Sequence, residues 1–119
     1  MIKYTINEHV FMIKNHLGVT TELKHAFGKD YKVLLESLEK LTMRELIKFI
    51  HTCIDLEGYE PDLLEFTKWM ENESGLGVMD VFDFVGEINN QIQYPGKSPD
   101  ERKKLIMEKI KEQRELENI

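Results

Sequence analysis

The spacing of apolar residues changes at Asn15, and that change constrains the fold more than any other feature of the chain. Before it, Lys3-Tyr4-Thr5-Ile6 and Val10-Phe11-Met12-Ile13 are rich in β-branched and aromatic residues, as short strands are. Asn7-Glu8-His9 between them fits a tight turn, although it lacks the glycine of a strong hairpin signal. A lone hairpin is marginal in water, so this one must lie against whatever follows. After Asn15 the apolar residues recur at spacings of three and four, the period of a helix with one buried face.

Five such stretches follow. Leu17, Val19, Leu23, Ala26 and Phe27 give a first helix, weakened by Gly18 and two threonines and stopped by Gly28. Asp30 is placed to cap a second, with Tyr31, Leu34, Leu35, Leu38 and Leu41 as its stripe. Thr42-Met43-Arg44-Glu45 reads as a capping box, in which the threonine and glutamate side chains bond each other's backbone N–H groups. The helix behind it carries Met43, Leu46, Ile47, Ile50 and Ile54, with Gly58 as its stop. Pro61 is expected in the first turn of a fourth helix, striped by Leu63, Phe66, Thr67 and Met70. Ser74-Gly75-Leu76-Gly77 reads as a turn. The fifth helix has the clearest pattern: Val78, Val81, Phe82, Val85, Ile88 and Ile92 hold one face until Tyr94-Pro95-Gly96.

Ser98-Pro99-Asp100-Glu101 is a second capping box, with proline at the first helical position. The stretch behind it holds seven bases and six acids between Lys97 and Glu117, so the −7 balance of the chain sits in the first 96 residues. Local pairs such as Lys111 with Glu115 support this last helix, and its few apolar residues predict a loosely docked or protruding arm. The expected fold is therefore mainly α, of the α+β kind. It has a compact bundle of five to six helices, a short N-terminal β-hairpin and a charged C-terminal helix. Residues 1–96 form the body and 97–119 the arm.

Composition narrows the function. A net charge of −6 argues against a nucleic-acid binder, because phosphate contacts need clustered Lys and Arg. No apolar run approaches the roughly 20 residues of a membrane span. A single cysteine, Cys53, and an N-terminus without a leader-like apolar run suit a reducing cytoplasm. No metal or cofactor is expected. His9, His16, His25 and His51 never pair at ligand spacing, and His51 and Cys53 point apart on a helix. Cys53 is expected in the core. Residues 55–73 hold seven acids and one base, but a calcium loop fails because Tyr59, Glu60 and Phe66 occupy positions 5, 6 and 12. Gly86, inside the fifth helix, is expected where helices pack closely. No nucleophile stands beside a histidine base, so the chain is not expected to be an enzyme.

One pattern points to a partner. Phe49, Trp69 and Phe84 each sit well off the centre of their own helix's apolar stripe. Large aromatics in that position serve either as interface anchors or as the second buried side of a tightly packed helix. We assign them to partner binding at this stage.

The order of elements also resembles a known family. A hairpin leads into a helix ending Phe27-Gly28-Lys29. There follow a leucine-rich stretch from Leu34 to Leu41, Leu-Thr-Met-Arg-Glu-Leu-Ile at 41–47, Pro-Asp-Leu-Leu at 61–64 and Gly-Leu-Gly-Val-Met-Asp-Val-Phe at 75–82. This layout, over residues 3–95, is similar to the tail assembly chaperones of long-tailed bacteriophages, especially those infecting Gram-positive hosts. The resemblance implies a non-enzymatic protein of the host cell cytoplasm, absent from the mature virion. It would hold the tape measure protein soluble while tail tube protein polymerises around it. The family is often made in two lengths through a frameshift, and the shorter form suits 119 residues. Self-association, as a homo-oligomer lining a long helical client, is also implied. The resemblance carries no residue-by-residue motif, so Phe49, Trp69 and Phe84 stand on the helical-wheel argument alone. A competing expectation is an acidic immunity or antitoxin-like protein that blocks a basic toxin, suggested by the acids of residues 55–73. Gln93-Tyr94-Pro95 before a charged helix is similar to the nuclease-colicin immunity proteins, but the extra N-terminal residues and the long fifth helix argue against it.

Overall fold

A computed structural model describes residues 1–56 and 61–117. Strands β1 (Ile2–Ile6) and β2 (His9–Ile13) pair antiparallel, with Ile2 opposite Ile13 and Ile6 opposite His9. The two-residue turn between them takes positive φ at both Asn7 (46°) and Glu8 (70°), as a hairpin turn matched to strand twist requires. Asparagine tolerates that conformation, and its side-chain amide donates to the Gly75 carbonyl at 3.0 Å, which fastens the turn to the body.

Helix α1 spans Gly18–Phe27 and ends at Gly28, whose φ of 69° is left-handed and whose N–H returns to the Lys24 carbonyl at 2.7 Å. The leucine-rich stretch does not form one helix. It divides into α2 (Tyr31–Glu36) and a single 3-10 turn (Leu38–Lys40). Between them the Ser37 hydroxyl reaches back to the Val33 and Leu34 carbonyls, a bond that competes with continued helix. Asp30 occupies the capping position without making the cap, and pairs with Lys24 instead.

Helix α3 (Met43–Cys53) starts at the expected capping box, with Glu45 N–H donating to Thr42 Oγ1 at 3.2 Å and Thr42 N–H to Glu45 Oε1 at 3.1 Å. Its end differs from the expectation. At Ile54 the chain becomes extended and forms β3 (Ile54–Asp55), which pairs antiparallel with β2 through Ile13 and Met12. The sheet thus has three strands in the order β1-β2-β3. Gly58, expected as the stop of that helix, lies outside the described residues.

Helix α4 covers Leu63–Asn72. Its cap is Asp62, which accepts from the Glu65 N–H at 2.8 Å, and Pro61 precedes the cap rather than occupying the first turn. Helix α5 (Val78–Gln93) opens with the Asp80 carboxylate accepting from the Gly77 N–H. Helix α6 (Pro99–Glu117) begins after Ser98, whose hydroxyl accepts from the Glu101 N–H at 3.2 Å and donates to the Glu101 carboxylate, one half of the expected box. The fold is thus mainly α: among the described residues there are six α-helices and a small antiparallel sheet. Among the described ion pairs, α6 holds Lys97–Glu101 and Arg102–Glu87; Lys111 with Glu115 is not one of them.

The core lies between the inner face of the sheet and helices α1, α3, α4 and α5. Phe11 and Ile13 of the sheet share one buried cluster with Phe66 and Met70 of α4, Phe84 and Ile88 of α5, and Val19, Leu23 and Leu34 of α1 and α2. The Tyr31 hydroxyl donates to Asn89, joining α2 to the far end of α5. Helix α6 leaves this body, which makes the molecule elongated at 56 × 31 × 25 Å, and Arg102 is its one buried side chain.

Two glycines separate conformational need from simple tolerance. Gly86 is exposed within α5, and an added Cβ there meets nothing within 4 Å, so the expected close helix contact is absent from this position. Gly86→Ala is expected to stabilise the fold by about 1 kcal/mol, whereas Gly28→Ala at positive φ is expected to destabilise it by about the same amount. Thermal unfolding at low protein concentration measures both. Tyr31 gives a pH test. Burial pushes its hydroxyl up to about 12. The folded chain therefore holds that proton more tightly than the unfolded chain, whose value is 10.0. The stability Tyr31 supplies is whole below pH 10 and is lost as pH rises towards 12. Urea unfolding across that range is expected to be less pH-dependent in Tyr31→Phe.

Candidate functional site

A row of aromatic rings runs from the core to the surface. Tyr4 and Phe11 pack against Phe84 at ring-centroid distances of 5.1 and 4.8 Å. Phe11 and His9 meet the edge of Trp69 at 6.2 and 5.0 Å, and Trp69 stacks on Phe66 at 6.2 Å. His51 closes the row, 5.2 Å from Phe66. The alternation of β2 explains half of it: Phe11 and Ile13 point inward while Val10 points out. The spacing of α4 explains the rest, because Phe66 and Trp69 lie one turn apart.

At its outer end the row forms the floor of an open groove of about 510 Å³, lined by His9, Val10, Phe11, Asp55, Leu56, Pro61, Glu65, Phe66 and Trp69. Hydrogen bonds hold its walls. His9 Nε2 donates to the Ser74 carbonyl at 2.6 Å, and His51 Nε2 donates to the Pro61 carbonyl at 3.0 Å. Among the described residues its lining is mostly apolar, with the Asp55 and Glu65 carboxylates at its border. That lining suits apolar side chains of a peptide or helix, fixed by shape and aromatic contact.

Of the three aromatics assigned from sequence, only Trp69 reaches this groove. Phe49 and Phe84 are both 0% exposed. They are core residues, and the partner-binding assignment for them is corrected here. The physical reason is that α3 and α5 are each covered on two sides. The sheet covers the second side of α5 through Tyr4 and Phe11, and α1 brings Phe27 to 6.4 Å from Phe49. Phe82, assigned to the α5 core stripe, faces solvent instead. Sequence reasoning missed His9, Val10, Phe11 and Leu56 as groove residues. Their placement depends on β3, which pairs Asp55 with Met12.

The remaining chemistry is structural. Cys53 is buried, and that burial pushes its thiol well above the usual range, away from reactivity. Among the acids of residues 55–73, Asp62 caps α4, and Glu71 pairs with Arg44 of α3 at 3.0 Å. Among the described residues, no three His, Cys, Asp or Glu side chains gather as a metal would need, and no helix is long and apolar enough to cross a membrane. Comparison of the chain with protein-family models, with characterised proteins and with solved structures gave no match.

Phe84→Ala removes a fully buried ring from the seam between sheet and helices. It is expected to cost about 3–5 kcal/mol in chemical denaturation, the range for truncating a core aromatic. A loss below about 1 kcal/mol would return Phe84 to the list of surface anchors.

Proposed function

We propose that this chain is a holding chaperone of the phage-tail type, which binds an amphipathic helical client in its aromatic groove and keeps that client soluble. The observation that carries the reading is the groove itself. Among the described residues it is lined mostly by apolar side chains, with half-buried Trp69 resting on buried Phe66 and Phe11. A half-buried indole above an apolar floor suits the apolar face of a helix presented by an aggregation-prone protein. The order of hairpin and helices over residues 3–95, similar to that of tail assembly chaperones, supports the tape measure protein as the client class. The groove holds its client by burial of apolar surface, so the interaction tolerates salt.

Co-expression with a tape measure protein, best the one encoded beside this chain, tests the proposal. Val10 stands on the rim of the groove, 53% exposed, so Val10→Glu alters the lining without touching the core. The native chain is expected to keep the client soluble and to co-purify with it at both low and high salt. Val10→Glu, folded by circular dichroism, is expected to lose most of that co-purification. A client that remains insoluble beside the native chain, or one that Val10→Glu carries equally well, would overturn the reading.

A further inference from the structure

Strand β1 is an open edge of the sheet. In the order β1-β2-β3, one side of β1 faces β2 and the other faces no strand among the described residues. The register fixes which backbone groups lie on that open side. Asn7 and Glu8 form the turn, so Ile6 and His9 close the hairpin as a hydrogen-bonded pair. Every second pair then repeats it, Tyr4 with Phe11 and Ile2 with Ile13. The N–H and C=O groups of Lys3 and Thr5 therefore point away from β2. Both residues are exposed, and among the described residues no backbone group meets them on that side. A helix spends its own backbone groups internally, so an extended chain is what such an edge can bind.

The inner face of β1 defines the side chains such a chain would carry. Residues paired across neighbouring strands share a face, so three of them would stand beside Ile2, Tyr4 and Ile6, all half-buried against the body. The outer two positions are apolar. The middle one is different. Tyr4 lays its ring on Phe84 of α5 at 5.1 Å. Burial pushes its hydroxyl up, and the nearby carboxylates of Glu87, Asp83 and Asp80 add to that push.

Two of these carboxylates are committed. Asp80 accepts from the Gly77 N–H at 2.8 Å. Glu87 accepts from Arg102 at 2.9 and 3.2 Å and from the amide of fully buried Gln91 at 3.1 Å, a joint that fixes the root of α6. Asp83 is exposed and, among the described residues, holds no hydrogen bond or ion pair. Charge then selects the occupant. A second copy added edge to edge would bring two such sets of carboxylates together, and like charges oppose it. A lysine or arginine opposite Tyr4 meets Asp83 instead.

We propose that β1 is a docking edge for an extended basic segment of another protein, which adds to the sheet as a further strand. Opposite Ile6, Tyr4 and Ile2 it places an apolar residue, a lysine or arginine, and a second apolar residue. The groove beside Trp69 takes no residue from β1, so edge and groove are separate sites.

The probe is the synthetic peptide Thr-Val-Thr-Lys-Thr-Val-Thr, titrated into the isotope-labelled full chain to millimolar concentration and followed by NMR. Binding is expected to saturate, and the Lys3 and Thr5 amides are expected to exchange with heavy water at least about tenfold more slowly in the complex. Glutamate in place of the peptide's lysine is expected to weaken binding about tenfold, and Asp83→Lys to reverse that preference. Asp83 is exposed, so the fold is expected to survive the change. Thr5→Pro removes an outward N–H without touching the β2 ladder and, folded by circular dichroism, is expected to lose the binding. A peptide that fails to bind would overturn the proposal. So would unchanged Lys3 and Thr5 exchange at saturation, or equal binding of the lysine and glutamate peptides. Shifts confined to Trp69 and Val10 would overturn it by placing the peptide in the groove. Slow exchange that appears in the chain alone as its concentration rises would overturn it by making the occupant a second copy. No helical client enters this experiment, so its failure leaves the chaperone reading to its own test.

Discussion

Phe84 packs between Tyr4 and Phe11, and the rest of the structure depends on that contact. A two-stranded hairpin has too little apolar surface to hold itself together, and α5 has more than one helix face can bury alone. Each solves the other's problem. The rings seal the inner face of the sheet onto α5, and α3 and α4 close around the same seam. From there the aromatic row continues outward to Trp69, so the core contact also sets the floor of the groove. The rings are coupled, because moving Trp69 disturbs Phe11, and moving Phe11 disturbs Phe84.

Much of this architecture is legible in local sequence signals. The two strands, the Gly28 stop, the Thr42–Glu45 box, the Ser98 cap and the extent of α5 follow from residues within a few positions of each other. The signals that mislead share one property: their outcome is set by distant partners. Ile54 continues the helical stripe of α3 perfectly well, yet β2 offers it a strand partner and the helix stops at Cys53. Phe49 and Phe84 lie off the stripe centres of their helices, and a single-face helix would leave them exposed. The sheet and α1 supply the second wall that buries them. Phe82 faces solvent instead. Ser37 is the exception: its back-bond is local, but the leucine stripe outweighs it on a helical wheel.

The site is harder to read than the fold for a related reason. Trp69 is recoverable from its helical position, but the groove around it combines residues from β2, β3 and α4 that only the three-stranded sheet brings together. Electrostatics divides the molecule in a complementary way. The body carries the acids, several of them used in caps and pairs, and the arm carries lysines around an apolar stripe. One buried joint, Arg102 with Glu87 and Gln91, sets the direction between these two parts.

Trp69 is the only tryptophan in the chain, so its fluorescence reports on the groove alone. Titrating the purified chain with a purified helical segment of a tape measure protein, at low and at high salt, tests the central claim most directly. The account requires a saturable shift of Trp69 emission to shorter wavelength, as the ring loses contact with water, with an affinity that high salt leaves nearly unchanged. Emission that does not move while the segment binds would contradict it by placing the client elsewhere. Binding that high salt abolishes would contradict it too, by making the interaction one of charge.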